Sequence, residues 1–197
     1  DNPNVAHVDG SVDPVRDMEI IDTELQLKDL ETVENRLAKV QKQAVTGGDK
    51  QAARLAGLLS RHRDVLIQGK NARSVQLFNQ EEEHMARELF LLTNKPVLYV
   101  CNVDEKSALT GNHYTNRVTG ILEKENEQYL IVAARIESEI AELESFEERQ
   151  IFLESMGLEE SGVSRLIKAA FKLLDLETYL TAGPMEVKAW TYVKGTK

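Results

Sequence analysis

Two long segments with the same narrow apolar spacing, joined by Gly47-Gly48, constrain the fold of this 197-residue chain most strongly. In both segments apolar residues recur at alternating intervals of three and four, the pattern of an amphipathic helix with a narrow buried stripe. Asp13-Pro14 favours a helix start, and Asp49 can cap the second helix. The sequence therefore predicts an antiparallel coiled-coil helical hairpin whose second helix ends near Gly69. Its stripe comprises Leu30, Val33, Leu37, Val40 and Ala44, then Ala52, Leu55, Leu59, His62 and Leu66.

The second half of the chain changes its hydrophobic period. Two continuous apolar runs, 96–101 and 129–134, are rich in β-branched and aromatic residues, which is typical of strands covered on both faces. The segment between them is long enough for a crossover helix at about 114–126. Strand, helix and strand at this spacing indicate a parallel βαβ unit. Alternating residue types over 186–193 predict the first strand or hairpin of a further module.

Local signals mark three more helices. Asn79 with Glu82, and Ser145 with Glu148, have the three-residue spacing of a capping box and predict helix starts at 79 and 145. A wide apolar face from Val163 to Leu174 predicts another amphipathic helix.

Charge and cysteine content narrow the class of protein. Lys and Arg total 24 against 33 for Asp and Glu, a net charge of −9 that does not favour a nucleic-acid binder acting through its whole surface. We expect no membrane partner, because no apolar run approaches the roughly 20 residues of a span. The single Cys101 excludes an intramolecular disulfide, and we interpret it as a small buried hydrophobe in a reducing compartment. The start at Asp1, without Met or a signal-peptide pattern, suggests a piece of a longer, cytoplasmic protein.

The histidines carry no metal-ligand spacing, so we expect no metal site among them. They are His7, His62, His84 and His113. His62 falls on the hairpin stripe, where a protonated ring would be desolvated.

Polar residues follow each of the two apolar runs. Asn102-Val103-Asp104-Glu105 ends the first, and Ala133-Ala134-Arg135 lies at the end of the second. Parallel strands gather such groups at one sheet edge, where they can form one side of a nucleotide-base pocket. There an Asn can tie the two loops together and an acidic side chain three residues on can reach the base. The same spacing fits a generic doubly wound fold in which Asn and Glu only cap loops.

Basic residues flank the glycine pair at the hairpin tip. Such a projection from an acidic protein can orient towards phosphate groups, although a solvated helix end would show the same pattern. The residues are Lys39, Lys42, Lys50 and Arg54.

Five stretches, taken together and in this order, resemble the YchF-type ATPases, the adenine-accepting branch of the Obg-related translation-factor GTPases. They are VDGSVDPVRD at 8–17, ELQLKDLET at 24–32, GGDK at 47–50, NVDE at 102–105 and TAGP at 181–184, which EVKAWT extends. The match covers nearly the whole chain.

The resemblance implies an α/β fold with three parts. Residues 1–19 and 92–176 would form the C-terminal half of a P-loop NTPase, G-domain-like parallel sheet. Residues 20–91 would be the inserted coiled-coil hairpin, and 177–197 would contain the first strands of a β-grasp TGS domain.

The resemblance also implies the roles of the site residues. Asn102 to Glu105 would be an N-x-x-E base-recognition motif, with Val103 giving backbone contacts and Glu105 replacing the Asp of guanine readers. Ala133, Ala134 and Arg135 would form the turn on the other side of the base. A Glu is one methylene longer than Asp, which should weaken the bidentate fit to guanine.

No G-x-x-x-x-G-K-[ST] motif occurs in the chain, so we expect the phosphate loop and the Mg²⁺ ligands upstream and no catalytic residue here. The implied protein is a monomeric, ribosome-associated P-loop ATPase that binds and hydrolyses ATP, and in some members GTP. Its implied partners are nucleotide and the ribosome or ribosomal RNA, not DNA, and this fragment alone would be inactive. The alternative is a non-enzymatic helical-hairpin adaptor that binds protein or RNA.

Overall fold

The computed structural model describes residues 11–47 and 49–196, with side chains 44–47 left aside. These residues form two compact units. One comprises residues 15–96, and the other comprises the described residues before 15 and after 96. The predictions for His7, for the start of the 8–17 motif and for Gly48 lie outside the described residues, as does the side chain of Ala44.

The first unit contains the predicted hairpin. Helix α1 spans Pro14–Gly47 and helix α2 spans Lys50–Ile67. Asp49 caps α2, because its carboxylate accepts a hydrogen bond from the Gln51 N–H at 2.8 Å. Since two residues connect the helices and their apolar stripes share one core, the helices run antiparallel. The buried stripe residues of that core are Val33, Leu37, Val40, Ala52, Leu59 and Leu66.

Three short elements follow α2 in the chain. They are the single-turn 3₁₀ helix Ala72–Ser74, helix α3 at Gln80–Glu88, and the 3₁₀ helix Leu92–Asn94. Leu58, fully buried on α2, packs in a second cluster with Met85 and Ala86 of α3. The narrow stripe therefore described only one of the two faces that α2 buries.

The capping box predicted for α3 is half right. Asn79 caps the helix by accepting from the Glu82 N–H at 2.9 Å. The Glu82 carboxylate, however, accepts from the Phe78 N–H at 2.9 Å and pairs with Arg61 of α2. The capping-box rule expects the Glu82 carboxylate to accept from the N–H of the N-cap residue, Asn79. The Arg61 guanidinium on α2 instead holds it at the N–H of the residue before, Phe78.

The second unit is built on the predicted βαβ arrangement. Strands β1 at Leu98–Asn102 and β2 at Gln128–Val132 pair in parallel, and helix α4 at His113–Glu125 connects them. Three further helices follow: α5 at Ala134–Glu142, α6 at Phe146–Ser155 and α7 at Gly162–Leu173. The capping box at Ser145 and Glu148 is confirmed. The core of this region contains Val103, Ala108, Ala133, Ile136, Ile140 and Leu153.

The prediction that both faces of the strands are covered was wrong. Residues of β1 and β2 are mostly half-buried, and Val100 is 47% exposed. In the part of the chain that the structure describes, this parallel sheet has only two strands, so each strand keeps an open edge. Cys101 is accordingly half-buried, and that burial raises the pKa of its thiol.

A β-hairpin ends the described chain. Strand β3 at Leu176–Ala182 pairs antiparallel with β4 at Val187–Val193, with Leu176 opposite Val193. The turn between them closes where the Gly183 N–H donates to the Glu186 carbonyl at 2.9 Å. The predicted hairpin is present, and its assignment to a TGS domain stays a prediction.

Candidate nucleotide-base site

The two loops of the candidate site begin side by side because β1 and β2 are parallel and in register. Asn102, the last residue of β1, lies opposite Val132, the last residue of β2. The Val103 N–H then donates to the Val132 carbonyl at 2.9 Å, which extends the pairing one residue past the strand. The buried Val103 side chain anchors the first loop in the core beneath it.

Asn102 joins these loops directly. Its side-chain oxygen accepts a hydrogen bond from the Ala134 N–H at 3.0 Å. Ala134 is the first residue of α5, and the N-cap Ala133 has no side-chain oxygen with which to cap the helix. Asn102 therefore satisfies an N–H group of the α5 terminus from the neighbouring strand.

The first loop is held rigid by its own acidic residue. The Asp104 carboxylate accepts from the Ser107 N–H at 2.9 Å and caps the 3₁₀ turn Glu105–Ser107. Hydrogen bonding from Ser107 lowers the pKa of the Asp104 carboxyl below its ordinary value. Sequence reasoning assigned no role to Asp104, although an Asp three residues before a Ser is a recognisable capping signal.

Glu105 and Arg135 meet across the two loops. The Arg135 Nε lies 2.7 Å from the Glu105 carboxylate and 3.3 Å from the Glu139 carboxylate one helical turn along α5. Glu105 is half-buried, with 39% of its side chain exposed, whereas the Arg135 side chain is 77% exposed. The residues assigned to opposite sides of a base from the sequence are thus in direct contact.

Glu137 fixes the orientation of α5 against α7, and sequence reasoning missed it. Its carboxylate accepts from the Gly162 N–H at 2.6 Å and from the Val163 N–H at 3.1 Å, at the positive end of the α7 dipole. The two groups are 25 residues apart in the sequence, so no local pattern could have indicated the contact.

The basic residues of the hairpin tip are exposed but not equivalent. Lys39 and Lys42 lie on the last turns of α1, and Lys50 is the first residue of α2. The Arg54 Nη1 donates to both carboxylate oxygens of Glu81 on α3, at 2.9 and 2.7 Å. The charge of Arg54 is therefore already partnered within its own unit.

No group of three or more His, Cys, Asp or Glu side chains is placed to hold a metal ion within 11–47 and 49–196. Across the same ranges, no helix is both long and apolar enough to span a membrane.

The parallel sheet and its flanking helices define an α/β protein, and the helical hairpin lies in a compact unit of its own whose residues fall within that sequence. The chain is 47% identical over 196 residues to the ribosome-binding ATPase YchF of Bacillus subtilis and 43% identical over 195 residues to that of Escherichia coli O157:H7. These alignments cover 98% and 99% of the chain and 53% of each relative. The rat Obg-like ATPase 1 is 38% identical over 201 residues, which cover 100% of the chain and 50% of that protein.

The solved structure of the Schizosaccharomyces pombe YchF GTPase matches the whole chain with a TM-score of 0.87 at 26% identity, and the match covers 53% of that structure. No family model matches the chain. This chain is a YchF-type sequence, and the family resemblance and fold class predicted from its motifs are confirmed. It spans about half the length of the relatives it matches.

Proposed function

We propose that this chain is the base-binding part, with a helical arm, of a ribosome-associated P-loop ATPase. The observation that carries the proposal is the hydrogen bond between Asn102 and Ala134, which joins an N-x-x-E loop to the facing loop at the carboxyl edge of a parallel sheet. The proposal is supported by relatives that are named ribosome-binding ATPases and that align with nearly the whole chain.

The nucleotide would lie between these loops with its base against Val103 and Ala134. Both backbone segments are held in place, one by the extended strand pairing and one by the Asn102 cap. A pre-ordered backbone loses little entropy when a flat base binds, so the loops can contribute affinity without a large side-chain pocket. The chain has no phosphate-loop motif, so the phosphates and Mg²⁺ would be bound by segments upstream, and phosphoryl transfer would require them.

Calorimetric titration of ATP and GTP tests this proposal. We expect the complete protein, extended upstream of Asp1, to bind ATP, and the present chain alone to bind neither nucleotide tightly. Asn102→Ala in the complete protein should weaken both nucleotides, because it separates the loops. The control Asn116→Ala, an exposed position on α4, should leave both affinities unchanged.

Tight binding by the chain alone would contradict the assigned division of the site. Absence of nucleotide binding by both proteins would instead favour the alternative function, a helical-hairpin adaptor for protein or RNA.

The remaining parts of the proposal follow from the same family relationship. The complete protein would hydrolyse ATP, and GTP in addition where the base site permits it, as a cytoplasmic monomer without DNA partners. The arm residues Lys39, Lys42, Lys50 and Arg54 would contact the ribosome or its RNA. The hairpin of β3 and β4 would begin a TGS domain.

A further inference from the structure

Arg135 occupies a position that is electrostatically unfavourable unless it is compensated. It is the second residue of α5, where the helix dipole presents partial positive charge and disfavours a cation. Two carboxylates offset this repulsion, Glu105 at 2.7 Å from the other loop and Glu139 at 3.3 Å from the same helix. The guanidinium is thereby held against the acidic residue of the N-x-x-E loop.

We propose that Arg135 is a specificity-determining residue of the base site, acting by occupying and neutralising the Glu105 carboxylate. This inference rests on the proposed function, because it assumes that a base binds between the two loops. It assigns to the Arg135 side chain a role beyond the backbone turn that the family resemblance implies.

The chemistry of the two purines gives the direction of the effect. An ionised carboxylate only accepts hydrogen bonds. Guanine presents N–H donors at N1 and at its exocyclic amine, whereas adenine presents a lone pair at N1. A carboxylate without a partner would therefore attract guanine and repel adenine. A carboxylate already bound to Arg135 would do neither strongly, so adenine is tolerated.

The size of the effect is limited by exposure. An ion pair with one strongly exposed partner is weak, which corresponds to a change in relative affinity of about two- to fivefold. Arg135 would thus adjust the preference between nucleotides rather than decide whether a nucleotide binds.

The test is calorimetric titration of ATP, GTP and inosine triphosphate into the complete protein and its Arg135→Ala variant. We expect Arg135→Ala to lower the ratio of the GTP Kd to the ATP Kd by about two- to fivefold, because Glu105 becomes available to guanine. Inosine, which keeps the N1–H and lacks the amine, should shift in the same direction as guanine. In a Glu105→Gln background, Arg135→Ala should no longer change the ratio.

Glu142→Gln is the matched control, because it removes an exposed carboxylate from the same helix that neither contacts Arg135 nor belongs to the N-x-x-E loop. We expect it to leave the ratio unchanged. A ratio that stays the same in Arg135→Ala, or changes equally in the Glu105→Gln background, overturns the inference. These outcomes are distinct from failure of the proposed function, in which Asn102→Ala would leave the affinities for both nucleotides unaltered.

Discussion

Asp29 and Thr93, 64 residues apart, are joined by two hydrogen bonds inside the first unit, residues 15–96. The Thr93 N–H and hydroxyl both donate to the Asp29 carboxylate at 2.7 Å, and the Leu92 N–H donates to its other oxygen at 2.7 Å. Thr93 in turn accepts from the Ala72 N–H at 2.9 Å. Asp29 is only 2% exposed, so this network fixes the segment that follows α3 against the middle of α1.

Removal of the Asp29 carboxylate should therefore be costly. We expect Asp29→Ala to lower the free energy of unfolding by about 3 kcal/mol, because it leaves the buried N–H and hydroxyl donors of Thr93 without an acceptor. Thr93→Val, which removes only the hydroxyl, should cost about 1–2 kcal/mol. Urea unfolding at pH 7 measures both. Glu34→Ala, an exposed position on α1, should change stability by less than about 0.5 kcal/mol, and an equal loss in all three variants would contradict the role of the network.

His62 should make the free energy of unfolding of the first unit depend on pH. The ring is 1% exposed, and its Nδ1 lies 2.9 Å from the Leu58 carbonyl oxygen. Burial lowers the pKa of His62, and the hydrogen bond with Leu58 and the charges of Asp29 and Glu82 offset this only in part. The unfolded chain therefore binds a proton more readily than the folded one.

The sign of the pH effect follows from that difference. The contribution of the neutral His62 ring to the free energy of unfolding should be fully present above the ordinary histidine pKa of about 6.5. It should be lost as the pH decreases below that value. We expect a lower urea midpoint at pH 5.5 than at pH 7.5, and His62→Leu should reduce the difference. His84→Gln, at an exposed position on α3, is the control and should leave the difference in place. A difference that persists unchanged in His62→Leu would assign the pH dependence to other groups.

Gly162 is required by a close approach at the start of α7. A Cβ added there would lie 2.8 Å from Val132 Cγ1 and 2.9 Å from Glu137 Oε1. We expect Gly162→Ala to destabilise the second unit by about 1–3 kcal/mol, because the Glu137 carboxylate or the Val132 side chain must move. Gly120→Ala on α4 is the matched control, since a Cβ there meets no atom within 4 Å, and it should stabilise the protein by up to about 1 kcal/mol. Thermal unfolding of the two variants should thus shift in opposite directions, and a shift in the same direction would contradict the steric explanation.

Periodic and local features of the structure were predictable from the sequence. The stripe from Val33 to Leu66 gave the helical hairpin, and the apolar runs at 96–101 and 129–134 gave the parallel βαβ unit. Adjacent strand ends then implied that Asn102 and Ala134 are neighbours. Each of these inferences uses a repeat or a rule that acts within about 30 residues.

Contacts between distant polar groups were not predictable. Nothing near Asp29 indicates Thr93, and nothing near Glu137 indicates Gly162, because these pairs depend on how whole elements pack. Glu82 shows the same limit on a small scale, since Arg61 from α2 displaces it from its local capping position. The pairing of Glu105 with Arg135 likewise required the structure.

The basic residues of the hairpin tip give a prediction about ribosome binding. Arg54 is left unchanged in this test. Because Arg54 pairs with Glu81, reversing its charge would also disturb α3. We therefore choose Lys39 and Lys50 and replace both with Glu in the complete protein. If these lysines contact phosphate groups, ribosome co-sedimentation should weaken, and more at low salt than at high salt.

Salt dependence separates this effect from a simple change in net charge. Two lost phosphate contacts should reduce the slope of log affinity against log salt by about 1.5. The control reverses Lys70 and Lys95, exposed residues of the same unit that lie far along the chain from the tip. It changes the net charge equally and should leave the slope nearly unchanged. Equal pelleting of both double variants at every salt concentration would remove the tip from the proposed interface, whereas a selective loss would place phosphate groups beside the tip.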